Sequence, residues 1–217
     1  MNIWLPIVTN VLAALIVVLG IFEGRKNGFG LQWIKALLLC GAAVGVHLLS
    51  PIITNLLVKI PVIAQFTALT TSFKPALNSV VYVILFLLAY LIVSRVITIV
   101  RNVIINRKVK ADVNDKKLIK KQRKAILKSR SKFSKIVGSI FGIVTSLAFV
   151  FILMMPLKYV PATMVEVKEQ IDELPEEARE QMNIPDFSEA QSAFEYTLFG
   201  QLDKVTHIYD LVNVMGE

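Results

Sequence analysis

Four stretches of about twenty residues carry almost no charge, and nothing else in this chain constrains its fold as strongly. They run from Ile3 to Phe22, Leu31 to Leu49, Ser79 to Val100 and Ile136 to Leu157. The first and fourth hold no charged residue; the second holds only Lys35, near its start, and the third only Arg95, near its end. A hydrocarbon layer ~30 Å thick is crossed by about 20 apolar residues in a helix. Inside that layer every backbone N–H and C=O must be paired within the protein, which leaves helices and closed barrels. Runs such as LAALIVVLG and VVYVILFLLAYLIV do not alternate as barrel strands do. The expected fold is therefore all-α: a polytopic membrane protein with four transmembrane helices and a lipid bilayer as its solvent. Charge usage agrees, since 18% of the 217 residues are charged against about a quarter in soluble domains.

A signal peptide in place of the first span would need a positive leading region and a small-x-small cleavage site. Only Met1 and Asn2 precede this stretch, and Phe22, Glu23, Gly24 and Arg25 follow it, so it reads as a retained span. The single cysteine, Cys40, lies inside the second stretch. It excludes an intramolecular disulfide framework and a cysteine-based zinc site. His47 and His207 stand too far apart for ligand spacing, and no metal or other cofactor is expected.

Lysines and arginines beside the spans set their direction. The first gap, Glu23 to Gly30, holds Arg25 and Lys26, and the third, Arg101 to Lys135, holds fourteen Lys/Arg against Asp112 and Asp115. The second gap, Ser50 to Asn78, holds only Lys59 and Lys74. The segment from Tyr159 to Glu217 holds thirteen Asp/Glu against Lys168, Arg179 and Lys204. The first and third gaps are thus expected in the cytoplasm of a bacterium and both termini outside its inner membrane. The expected division is a transmembrane domain over 1–158 and an acidic extracytoplasmic helical tail over 159–217. Trp4 and Tyr82 would lie near the outer face, Trp33 near the inner face and Tyr159 at the outer exit, depths that amphipathic rings favour. Lys35 and Arg95 fall within a turn or two of the inner face and are expected to snorkel to the headgroups.

The gaps carry structure of their own. Residues 51–77 are apolar, too short to span and broken by Pro61, which fits a re-entrant or an interfacial pair of helices. Residues 115–132 read as a basic helix in which Leu118, Ile119, Ile126 and Leu127 are the apolar positions. Such a helix is drawn to anionic lipid, at roughly 1 kcal/mol per Lys/Arg near the surface. No aromatic residue interleaves the charges before Phe133, so a base-stacking platform is missing and no nucleic-acid partner is expected. In the tail, Ser188 to Gln191 forms a capping-box pattern, with Phe187, Ala190, Phe194 and Leu198 at helical spacing and Leu202, Val205, Tyr209 and Val212 continuing it after Gly200. Upstream, Met164, Val167, Ile171 and Leu174 mark a short helix ended by Pro175. These helices suit packing on each other, on the membrane face or on an extracytoplasmic protein partner, with His207 exposed on one of them.

No catalytic constellation stands out, and the four spans contain no Asp or Glu; the chain is read as not an enzyme. His47 has Ser50 three residues on, but a lone histidine at a span end reads as a satisfied polar residue. Small residues at spacing four stand out instead. Ser134, Gly138, Gly142 and Ser146 share one face of the fourth span, and Gly41 and Gly45 one face of the second. Small residues let helix backbones approach, and packing drives association in lipid. The expected partner of Gly138 and Gly142 is the second span, through Gly41 and Gly45, or the fourth span of a second copy in a homo-oligomer.

The turn after the first span reads Gly24-Arg-Lys-Asn-Gly28-Phe29, and the fourth begins Lys132-Phe-Ser-Lys-Ile-Val-Gly138-Ser-Ile-Phe-Gly142. The first resembles the G-Y-R-R-G-F signature of the CvpA family, the colicin V production proteins. The second is similar to that family's N-R-x-x-G-x-x-x-G run, and KALLLCGAAVGVHLL resembles its second span. The resemblance covers about residues 3–158. It departs at Asn10, where the family often carries Asp, and at the arginine before the fourth-span glycines, replaced here by lysine or serine. It implies an inner-membrane protein needed for production or export of a peptide toxin, with a wider role in envelope homeostasis. The alternative is a small channel or transporter whose path is lined by Asn10, His47, Thr145 and Ser146.

Overall fold

The computed structural model describes residues 4–109, 116–129, 131–173, 187–207 and 209. Among them every regular element is a helix: α1 (Trp4–Leu57), α2 (Pro61–Leu69), α3 (Phe73–Lys108), α4 (Lys116–Lys128), α5 (Lys132–Asp172), α6 (Ser188–Glu195) and α7 (Leu198–Thr206). Three of them, α1, α3 and α5, are long and apolar enough to cross a membrane. Their large side chains are mostly exposed; Leu12, Leu19, Leu37, Leu88, Leu91 and Val144 are examples. Such continuous apolar surface is a liability in water and a natural boundary with lipid chains.

Gly28 interrupts α1. Its φ of 70° and ψ of 173° are non-helical and divide α1 into two arms, each longer than the thickness of a hydrocarbon core requires. Any side chain would be strained at that φ, so the break falls at a residue without one. At 41 residues, α5 has about twice the number of residues that one crossing needs. Pro156 and Pro161 lie inside it and do not end it. The short helix expected around Met164 to Ile171 is therefore the continuation of α5, and Leu174 and Pro175 lie outside the described residues.

Two compact units divide the chain at points inside the helices. The first unit comprises residues 1–13, 44–86 and 150–217. Here Pro61 starts α2 at a position where its missing N–H costs nothing. Phe66 stacks on Phe73 across the turn into α3, and Thr163 of α5 donates to the Ser72 carbonyl. The Thr70 hydroxyl hydrogen-bonds the Glu166 carboxylate. The tail helices are anchored by Tyr209, which is fully buried. Its ring stacks on Phe151 at 4.2 Å, its hydroxyl donates to the Phe151 carbonyl, and its own carbonyl accepts from Tyr159. Burial, with Asp203 and Tyr159 nearby, pushes the Tyr209 phenol well above its ordinary range. The capping box expected at Ser188 is not used: Phe187 is the N-cap of α6, without a side-chain cap. Thr197 caps α7 instead, accepting from Gly200 N–H, and exposed His207 ends α7 in the left-handed region.

The second unit comprises residues 14–43 and 87–149. It contains the Gly28 break, the C-terminal part of α3, α4 and the first part of α5. α4 falls inside the basic helix expected over 115–132 but ends at Lys128, Lys132 already opening α5; Asp115 and Arg130 lie outside the described residues. Its Leu118 is exposed, while Ile119, Ile126 and Leu127 are half-buried.

Candidate functional site

The second unit is organised on a seam of small residues. The first arm of α1 runs antiparallel to α5, with Gly24 against Gly138 and Gly20 against Gly142 and Ser146. A Cβ added at Gly24 would collide with the Gly138 carbonyl, and one at Gly138 with the Gly24 carbonyl and the Gly28 backbone. Gly142 is closed in the same way by the Gly20 carbonyl. These are backbone-to-backbone contacts, which only glycine permits on both sides. The partner of Gly138 and Gly142 is thus the first arm of the same chain, where the sequence pointed to Gly41 and Gly45 or to a second copy. A Cβ at Gly41 or Gly45 would meet nothing within 4 Å. Phe29 caps the seam: its N–H donates to Ser134 Oγ at 3.2 Å, and its ring lies 5.7 Å from Phe141, which also meets Trp33 edge-on.

A polar cluster is buried beside this seam. Lys35, 1% exposed, forms an ion pair with Glu23 at 2.8 Å, donates to Tyr90 Oη and lies 4.6 Å from that ring's centre. Phe149 packs on the other side of Tyr90 at 4.2 Å. Asn27 is the hub. Its Oδ1 accepts from Arg101 Nη1 at 2.9 Å, while its Nδ2 donates to Gln32 Oε1 at 3.0 Å and more weakly to Glu23. Gln32 Nε2 in turn reaches Thr145 Oγ1 at 3.2 Å, and Thr145 is bonded to the carbonyls of Phe141 and Gly142. Both arms of α1, α3 and α5 are thereby tied through one connected set. Buried polar groups persist when paired in this way.

Lys35 therefore does not snorkel. It turns inward because Glu23, one residue beyond the first apolar stretch, stands across the Gly28 break from it. Arg95 stays exposed. The candidate polar residues Asn10 and His47 belong to the first unit, and Thr145 and Ser146 to the second. Asn10 Oδ1 accepts from Leu198 N–H at the start of α7 at 3.1 Å, and His47 meets Tyr82 edge-on. Glu23, Asn27, Gln32, Tyr90 and Arg101 were missed from the sequence. For three of them the signal is position: Glu23 and Arg101 lie one residue beyond an apolar stretch and Gln32 one residue inside another; Asn27 and Tyr90 carry no such signal. Two cations and one carboxylate make the cluster net positive, which does not suit a metal ion. Among the described residues no group of three His, Cys, Asp or Glu could hold one.

Protein-family models, curated proteins and solved structures yield no match to this chain.

Proposed function

We propose that the chain is a four-crossing inner-membrane protein of CvpA type. Each arm of α1 forms one crossing, and Gly28 is their cytoplasmic turn. Both termini face outward, α4 lies on the anionic inner leaflet, and the tail sits on the outer side. The protein works through packed helices rather than covalent chemistry, in production or export of a peptide toxin and in envelope homeostasis. One observation carries this reading. The two segments of the resemblance, Gly24 to Phe29 and Lys132 to Gly142, pack backbone to backbone and lie beside the buried cluster. In a toxin-producing bacterium lacking its own CvpA-family protein, this chain should restore toxin release and Gly24→Leu should not. Failure of the intact chain at normal membrane levels, or full restoration by Gly24→Leu, would count against it.

A second reading, a conduit for a small solute, is favoured by Lys35, Glu23 and Arg101 themselves. Ionisable groups within apolar helices commonly mark ion and substrate pathways. Solute flux through purified protein in liposomes, abolished by Lys35→Met, would support it. Absence of flux would leave the packing reading alone.

A further inference from the structure

We infer that the second unit carries a built site for an anionic phospholipid of the phosphatidylglycerol class, separate from the surface of α4. The site is a groove of about 560 Å³ between the first arm of α1 and the start of α5, lined by Ile21, Arg25, Lys132, Lys135, Ile136, Ser139 and Ile140. The antiparallel pairing of Gly24 with Gly138 and Gly20 with Gly142 fixes its polarity. Arg25 on one helix and Lys132 and Lys135 on the other fall at the same end. Ile21 and Ile140, each one or two turns further along, fall at the other. One groove thus grades from three cations to an isoleucine wall, and none of the described residues that line it is a carboxylate.

That gradient matches one kind of occupant. A free phosphate or a soluble glycerol phosphate would use the basic end and leave the isoleucines wet. A zwitterionic lipid would bring its own cation against three more. A lipid with a net negative headgroup places its phosphate among Arg25, Lys132 and Lys135 and its acyl chain along Ile21, Ile136 and Ile140. Arginine adds paired donors suited to phosphate oxygens, and basic pockets between membrane helices are suited to such headgroups. Exposed Phe22 and Phe133 flank the groove in sequence. The inference rests on reading α1 and α5 as membrane helices.

The test is native mass spectrometry and thermal melting of the full chain in neutral detergent. It is titrated with phosphatidylglycerol, phosphatidylcholine or glycerol 3-phosphate. Phosphatidylglycerol should bind at least tenfold more tightly than phosphatidylcholine and raise the melting temperature, weakening as salt rises. Glycerol 3-phosphate should do neither. Arg25→Gln with Lys132→Gln should remove the preference, Arg25→Lys with Lys132→Arg should keep it, and Lys120→Gln with Lys124→Gln on α4 should keep it. Both Gln pairs change exposed residues, so folding is checked by the unliganded melt. Equal binding of the two lipids, an equal effect of glycerol 3-phosphate, or loss of preference in the α4 pair alone would overturn the inference. A chain that does not partition into membranes would instead overturn the membrane reading.

Discussion

Replacing Glu23 by Gln tests the polar cluster where its energetics are sharpest. Lys35 is 1% exposed while Glu23 keeps 31%, so the two partners do not lose equally when the other is neutralised. Glu23→Gln leaves a buried ammonium with Tyr90 Oη and an amide oxygen as its partners. Stranding one member of a buried pair costs about 3–5 kcal/mol. The remaining Tyr90 contact and the partial hydration of the site favour the lower end, about 3 kcal/mol, or over a hundredfold in the unfolding equilibrium. Lys35→Met leaves a carboxylate that water and Asn27 still reach, so its cost should be smaller, about 1–2 kcal/mol after allowance for solvent screening. The double variant should lose less than the sum, with a coupling of about 1–3 kcal/mol. Reversible unfolding in mixed micelles, followed by the fluorescence of Trp33 beside Phe141, measures all three. If Glu23→Gln unfolds with the intact chain to within about 0.5 kcal/mol and the coupling is nil, Lys35 reaches water and the cluster is not desolvated.

The glycine seam makes a contrast between helices. Gly24→Ala or Gly138→Ala should destabilise by about 1–3 kcal/mol because backbone must move, whereas Gly41→Ala should be neutral or stabilising by up to about 1 kcal/mol through helix propensity; equal effects in detergent melts would refute the seam. Gly28→Ala should cost about 1–3 kcal/mol, because its φ and ψ fall in a region open essentially to glycine alone, and Gly28→Asn should cost as much. Tyr209 titrates only at the basic end: its folded pKa is raised above the ordinary 10.0, so its contribution is whole below about pH 10 and declines as pH rises further. Phenolate absorbance should show Tyr209 ionising only well above its ordinary 10.0, and Tyr209→Phe should remove part of the loss of stability above pH 10; a Tyr209 that ionises near pH 10 would contradict its burial.

The helices were legible because their apolar runs are long, and α4 because its few apolar residues are spaced at a helical period among lysines. The small-residue face of Ser134, Gly138, Gly142 and Ser146 was legible as a face, but its partner was not. Gly20, Gly24 and Gly28 also fall at spacing four, yet Glu23, Arg25 and Lys26 between them made that segment read as a loop. The helix in fact runs through those charges up to Gly28, which carries the glycines onto α5 and Glu23 toward Lys35. The same misplacement of the helix end hid the cluster, since a charge in a loop needs no partner and a charge on a packed helix does. The unused capping box at Ser188 shows the limit of a four-residue pattern, and the run of α5 past two prolines shows that tertiary contacts such as Thr163 with Ser72 can hold a helix against its local breakers.

The proposed four-crossing topology requires α1 to turn back at Gly28, with its two ends on the same side of the membrane. In a Cys40→Ser background, single cysteines at Trp4, Lys26, Thr67 and Lys120 can be labelled with an impermeant maleimide in intact and in permeabilised cells. That topology predicts labelling of positions 4 and 67 from outside and of positions 26 and 120 only after permeabilisation. Labelling of 4 and 67 from opposite sides would mean that α1 crosses once, and would contradict it.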